Sequence, residues 1–298
     1  MPDPRAANVA VIGLGKMGSA MAAQLKAGGC QVVGWARSEA ARARLAEQGG
    51  DTVASLGDLL EVDVAITMVS DDKATREVAL GANGLIGILE PGAVHVAMST
   101  ISPALSRDLQ EAHRMAGQNY LSAPVFGRPE AAGAAALSIV CSGPRAAYDA
   151  VEPVLKAMGQ PRWIGEPVGL ANVVKLAGNQ MIVTTIELLG EVFALLRKAG
   201  VAEDDIHSLL IERLFPGPIF NGYSTLIRAR RWEPPAGDLF LARKDNGLCL
   251  AAAEELGVNL PLVRFIRDRL DQVIVAGEGK GDVSTLARRC ASEAGLDD

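Results

Sequence analysis

The stretch Asn8-Val9-Ala10-Val11-Ile12-Gly13-Leu14-Gly15-Lys16-Met17-Gly18 decides the architecture of this chain. Residues 8–12 are nearly all apolar and read as a buried strand. A GxGxxG turn follows, and residues 17–27 read as a helix. Gly13 permits the tight turn, Gly15 leaves the backbone open to a phosphate group, and Gly18 lets helix and strand pack closely. The first amides of the helix then face an anion, the pyrophosphate of a dinucleotide. Leu14, Lys16 and Met17 complete the loop and count with the three glycines as cofactor-binding positions.

Outward from this unit the pattern repeats. Strand-like apolar runs occupy 31–35, 64–68 and 94–98, separated by helical patterns at 39–48 and from about 72. Ser102-Pro103 reads as an N-cap followed by proline at the first helical position. Further strands are expected at 117–121, 137–141 and 162–164, with a helix over 144–158 between the last two. Continuous apolar strands alternating with helices predict a parallel sheet covered on both faces. After about 169 the strands stop. Residues 169–197 continue one long helical pattern, and helices follow around 203–213, 218–230, 239–256, 260–275 and 283–293. The expected organisation is an α/β Rossmann dinucleotide-binding domain over 1–168 and an all-α C-terminal domain over 169–298.

Composition agrees. The 298 residues suffice for two domains with their own cores. Lys and Arg total 29 against 35 Asp and Glu, a net charge of −6, so no nucleic-acid partner is expected. Cys30, Cys141, Cys249 and Cys290 are scattered and suggest neither a disulfide framework nor a zinc site. Met1-Pro2-Asp3-Pro4-Arg5 lacks the pattern of a secretory signal. The longest apolar run, 181–196, is cut by Glu187 and Glu191, and no membrane segment is expected. These readings place the protein in the cytoplasm.

The end of the second strand selects the cofactor. An acidic residue there bonds the ribose 2′-OH of NAD. This chain has Trp35-Ala36-Arg37-Ser38 instead. Arg37 suits adenine stacking and pairing with a 2′-phosphate, Ser38 adds a hydroxyl, and Arg42 is placed to assist. The expected cofactor is NADP(H).

Residues 11–22, Met98-Ser99-Thr100, Ala123-Pro124-Val125, 169–179 and Lys244-Asp245 together resemble the β-hydroxyacid dehydrogenases. This family includes 3-hydroxyisobutyrate dehydrogenase, tartronate semialdehyde reductase and glyoxylate/succinic semialdehyde reductase. It is related to 6-phosphogluconate dehydrogenase and to imine reductases. Its lysine signature, Gly-x-Gly-x-x-x-Lys-x-x-x-Asn, reads here Gly169-Leu170-Ala171-Asn172-Val173-Val174-Lys175-Leu176-Ala177-Gly178-Asn179, with Ala171 replacing the second glycine. Lys175 and Asn179 stand at i and i+4 and project from one helix face.

The resemblance implies a catalytic set of Lys175, Asn179 and Ser99. Lys175 is then the general acid that protonates the carbonyl oxygen during reduction, Asn179 holds the substrate oxygen, and Ser99 lies near nicotinamide and substrate. Val69 and Ser70 are expected to line the cofactor groove. Lys244 approaches cofactor and substrate, and Asp245 is given a structural role. The family also implies a homodimer. Where it has Ala-Pro-Val-Ser-Gly-Gly, this chain has Ala123-Pro124-Val125-Phe126-Gly127-Arg128. Phe126, Gly127 and Arg128 are the expected substrate-binding positions. Phe126 adds apolar bulk and removes a hydroxyl. Arg128 has two readings, a carboxylate clamp or a structural partner of Glu130.

The expected function is an NADP(H)-dependent oxidoreductase moving hydride between nicotinamide and a small aldehyde, keto acid or β-hydroxy acid. Two alternatives stand beside it: an imine reductase, against which Lys175 argues, and a dinucleotide-binding module without turnover. His95 reads as a core or sheet histidine, and His113 and His207 sit on helices without ligand-spaced partners. No metal site is expected. Glu187 and Glu191 read as a solvated stripe or interface feature. For Phe215, Phe220, Tyr223 and Trp232, core packing is the default reading.

Overall fold

The computed structural model describes residues 7–59, 61–235 and 237–296. The chain forms two compact units, Met1–Lys175 and Leu176–Asp298. The division falls inside a helix, seven residues past the boundary expected from the change of pattern at 168.

The first unit alternates strands and helices. β1 (Asn8–Ile12), α1 (Lys16–Ala27), β2 (Gln31–Trp35), α2 (Glu39–Glu47) and β3 (Asp51–Thr52) make up its first half. Next come β4 (Val64–Thr67), α3 (Asp72–Leu80), α4 (Leu85–Ile88), β5 (Val94–Ala97) and α5 (Pro103–Met115). They are followed by β6 (Asn119–Ser122), β7 (Val125–Phe126), α6 (Pro129–Gly133), β8 (Leu137–Ser142), α7 (Arg145–Lys156) and β9 (Gly159–Gly165). The strand order is β3-β2-β1-β4-β5-β6-β8-β7, with β9 paired to β8. The pairs from β3 to β6 are parallel, and β8 runs antiparallel to β6 and β7.

Chain order reverses at β1, between β2 and β4. Ligands of such sheets bind beyond the carboxyl ends of the strands at this switch point. The interior strands are buried throughout: Val9 to Ile12, Val64 to Ile66 and Val94 to Ala97 are all enclosed. This explains their reading as unbroken apolar runs rather than alternating ones. The short elements β3, β7, α4 and α6 carry no sequence period and were not expected.

The helix α8 (Gly169–Lys198) runs unbroken for 30 residues, about 45 Å at 1.5 Å per residue. It is long and apolar enough to cross a bilayer by length and composition. In the second unit it is instead a core helix: Val183, Ile186, Leu189 and Phe193 pack with Leu239, Ile266, Leu270 and Leu286. The second unit continues with α9 (Glu203–Ile206), a π-helical segment at His207–Glu212, α10 (Pro218–Arg228) and α11 (Leu239–Glu255). It ends with α12 (Pro261–Val273), a second π-helical segment at Ile274–Glu278, and α13 (Thr285–Glu293). Among its described residues, strand pairing is limited to an isolated bridge between Asp238 and Asp282.

The reading of Glu187 as solvated is corrected. It is buried on α8 and paired with Arg269. Burial pushes its carboxyl pKa up, while Arg269 opposes that shift. Glu191 is exposed. Phe220, Tyr223 and Trp232 lie against the apolar core of this unit. Phe215 is exposed and stacks on Phe220 at 5.2 Å.

Candidate active site

In the first unit the glycine turn has the geometry its residues imply. Gly13 adopts φ +105°, and a Cβ there would lie 2.3 Å from the Met68 carbonyl oxygen. A Cβ on Gly18 would lie 1.9 Å from the Gly13 carbonyl oxygen, so any side chain would force helix and turn apart. At Gly15 the opposite holds, with no atom within 4 Å of the Cβ position. Gly15 is also the N-cap of α1, without a side-chain cap or an acidic residue in the first turn. An uncapped helix start with open space before it fits a phosphate group. The residues present therefore fit a dinucleotide.

Beyond the turn, β2 ends without a carboxylate through 35–38. Arg37 is 73% exposed at its side chain, with Nη1 3.8 Å from Glu77 Oε2. Arg42 donates to the Ala36 and Arg37 carbonyls, so it braces the loop rather than reaching outward. Ser38 caps α2 by position but makes no side-chain cap bond.

Ser99 is fully buried. Its Oγ accepts from the Val69 amide at 2.8 Å and donates to the Thr67 carbonyl at 3.4 Å. The hydroxyl thus ties the exit of β5 to the exit of β4. Ser70 donates to Asp71, which caps α3 by accepting from the Ala74 amide at 2.8 Å. Ser70 therefore serves the helix start.

Beneath this edge runs a buried polar chain that local sequence did not reveal. His95 Nδ1 lies 2.7 Å from His113 Nε2, His113 Nδ1 lies 2.7 Å from Gln118 Oε1, and His95 Nε2 lies 3.0 Å from Thr67 Oγ1. Gln118 Nε2 donates to the Ile86 and Leu89 carbonyls, so Oε1 faces His113 as an acceptor. This sets every proton: His113 carries it on Nδ1, His95 carries it on Nδ1, and Thr67 donates to His95 Nε2. Both rings are neutral. Burial lowers the His113 pKa to about 4 and holds His95 well below its ordinary range, with His113 adding to the latter.

The consequence for stability has a definite sign. A histidine whose folded pKa is depressed stabilises the fold fully above about 6.5 and loses that contribution as pH falls toward 4. Thermal unfolding followed by circular dichroism should therefore show Tm falling already between pH 6.5 and 5, above most carboxylate titrations. A flat Tm over that interval would contradict the neutral pair.

The start of α8 is fastened to the sheet of the same unit. Ser142 Oγ donates to the Val168 carbonyl at 2.6 Å and accepts from the Ala171 amide at 2.9 Å. Ser122 Oγ donates to Asn172 Oδ1 at 2.7 Å, and Asn172 Nδ2 donates to the Ile101 carbonyl at 3.3 Å. Ser122, Ser142 and Asn172 are fully or almost fully buried. They fix the turn that carries Lys175, a role that sequence reasoning missed. The available signal was a polar residue three positions before the lysine on an otherwise apolar turn. Lys175 is half-buried, and its Nζ stands 4.4 Å from the centroid of the Phe126 ring. Gly127 follows at φ +139°, and Arg128 is half-buried before α6.

In the second unit, Asn179 Nδ2 donates to Asp245 Oδ2 at 2.7 Å, and Lys244 Nζ lies 2.9 Å from Asp245 Oδ1. Asp245 is buried and orients both neighbours. One position on, Asn246 donates to Gln180 Oε1 at 2.8 Å and to the Val263 carbonyl at 3.0 Å. Among the described residues no group of His, Cys, Asp and Glu is arranged to hold a metal.

The parallel sheet and its glycine turn define a nicotinamide-dinucleotide-binding oxidoreductase. The family model for the NAD binding domain of 6-phosphogluconate dehydrogenase matches residues 8–178. The model for the NAD-binding domain of NADP-dependent 3-hydroxyisobutyrate dehydrogenase matches 169–290. The chain is 33% identical to the uncharacterized oxidoreductase YfjR of Bacillus subtilis, over 94% of its length and 98% of the relative's. It is 29% identical to L-threonate dehydrogenase of Cupriavidus necator, over 94% and 95%. The crystal structure of 3-hydroxyisobutyrate dehydrogenase from Salmonella typhimurium superposes with a TM-score of 0.85 at 25% identity, covering 95% of this chain and 99% of that one. The chain belongs to the β-hydroxyacid dehydrogenase family and is an NAD(P)-dependent dehydrogenase acting on CH–OH groups.

Proposed function

We propose that this enzyme uses NADP(H) to interconvert a small aldehyde or keto acid and its hydroxy acid, with Lys175 as the proton-transfer group. The observation that carries the reading is Lys175 itself, a half-buried amine on a helix turn bonded to β6, β8 and the segment after β5. The dinucleotide, when bound, supplies or accepts the hydride. In reduction Lys175 Nζ gives a proton to the carbonyl oxygen, and in oxidation it takes the hydroxyl proton. Asn179, one turn further along α8, holds that oxygen, with its amide oriented by Asp245. Lys244 adds positive charge at Asp245. Ser99 acts by holding the Val69 amide at the groove edge rather than by touching substrate. Phe126, Gly127 and Arg128 face the substrate.

The absence of a carboxylate through 35–38, together with exposed Arg37, supports NADP(H) over NAD(H). Consumption of NADPH with short aldehydes and keto acids tests the activity, and none across such a panel would refute it.

The homodimer reading draws support from α8, where Val174, Met181, Leu188 and Leu195 recur every seven residues and are all exposed. Sedimentation should give twice the 31.1 kDa chain mass. A monomer at micromolar concentration would exclude this assembly.

A further inference from the structure

We propose that Phe126 is the positioning residue of Lys175, its ring face holding the ammonium group in place. This rests on the reading of Lys175 as proton donor given above. Nζ lies 4.4 Å from the ring centroid, inside the range of about 6 Å at which a cation is attracted to an aromatic face.

Both partners are set on constrained backbone. In β7, Val125 pairs with Ile139 and Phe126 with Ser138. Val125 points into the core. Alternation along the strand then sends Phe126 to the opposite side. The following Gly127 takes φ +139°, and a Cβ there would meet Leu137 Cδ2 at 2.7 Å, so the chain leaves β7 through a turn that glycine suits. On the other element, Ala171 and Asn172 bond the turn of Lys175 to Ser142 and Ser122. A lysine on a free surface samples many rotamers of its four-carbon stem. Here the ring supplies a defined place for the ammonium.

The chemistry distinguishes this from a carboxylate partner. A phenyl ring favours the charged form of the amine but can neither accept nor return its proton. It holds the donor without competing with the substrate oxygen. Desolvation by the ring opposes the attraction. Lys175 is only half-buried and keeps contact with solvent, which limits that desolvation.

Other charges near the pair are identifiable. Lys175 is the only ionisable side chain of α8 from 169 to 186. Arg128 and Glu130 follow Phe126 in the chain, and Arg107 Nη1 lies 3.5 Å from where a Cβ on Gly169 would sit. None is altered by substituting Phe126, so a difference between variants isolates the ring.

The test is competitive acetylation of the intact protein with acetic anhydride across pH, read at the Lys175 peptide by mass spectrometry. Wild type is compared with Phe126→Leu, which keeps apolar volume, and Phe126→Trp, which keeps an aromatic face. The Lys175 midpoint should fall by about half to one and a half pH units in Phe126→Leu and stay at or above wild type in Phe126→Trp. The alkaline limb of the kcat profile should move in parallel, with NADPH affinity unchanged. Phe126→Met provides the same comparison should the leucine variant fold poorly. Equal midpoints in wild type and the aliphatic variants would overturn the proposal, as would a tryptophan variant that falls with them. The labelling readout is independent of turnover. A shifted midpoint in a protein that reduces no carbonyl would uphold the ring contact and refute the proposed function alone.

Discussion

Replacing Lys175 by alanine is expected to lower turnover by about 10² to 10⁴, the usual contribution of a positioned proton donor, while NADPH affinity stays within about twofold of wild type. The separation follows from the structure. The glycine turn, Arg37 and the Val69 edge bear the cofactor contacts proposed here, and Lys175 is not among them. The turn itself should survive, because Ala171 and Asn172 make its bonds to Ser142 and Ser122 through groups the substitution leaves intact. Alanine is also the best helix former. Lys175→Arg should be nearly as inactive, since a guanidinium keeps its proton at all relevant pH values. Steady-state kinetics paired with cofactor titration checks both variants. A Lys175→Ala protein that turns over normally would remove the residue from the mechanism. One that loses cofactor binding and thermal stability together would mark the lysine as structural.

The second large effect is on cofactor choice. Arg37→Ala should weaken NADPH binding by about 10- to 100-fold, the span of a hydrogen bond to a charged group, and leave NADH binding nearly unchanged. The folded protein should not notice. Arg37 is largely exposed and stands 3.8 Å from Glu77, and an exposed pair of that kind contributes little to stability. Fluorescence titration with both nucleotides reads the ratio directly. Equal losses for NADPH and NADH would show that Arg37 contacts a part of the molecule common to the two.

Much of the scaffold was legible because local pattern and tertiary role coincide. Asn8–Ile12 is a strand on both counts, since a parallel sheet buried on both faces requires an unbroken apolar run. The helix read over 169–197 ends one residue later in the structure. GxGxxG identified its own geometry because Gly13 and Gly18 lack space for a Cβ whereas Gly15 has it.

What stayed hidden depends on residues far apart in the chain. His95 and His113 each looked solitary, yet the crossover from β5 through α5 brings their nitrogens to 2.7 Å. Glu187 looked solvated because its partner Arg269 is 82 positions away. Ser122 and Asn172, 50 residues apart, carry no local period that marks them as a clamp. The same limit applied to Phe126. Its departure from the family pattern was visible, but its contact with Lys175 emerges only when β7 and α8 are placed together. At Ser99 the motif indicated a position at the sheet edge, and the structure adds that the hydroxyl is already engaged by Val69 and Thr67.

The central claim is that this fold reduces a carbonyl with NADPH. The most direct measurement is the loss of NADPH absorbance at 340 nm by purified protein over a panel of short aldehydes, keto acids and cyclic imines, run in parallel with NADH. The account predicts fastest oxidation with an aldehyde or keto acid, and a higher kcat/KM with NADPH than with NADH. Turnover of a cyclic imine exceeding every carbonyl would contradict it in favour of C=N reduction. Tight NADPH binding with no oxidation anywhere on the panel would contradict it in favour of a binding module.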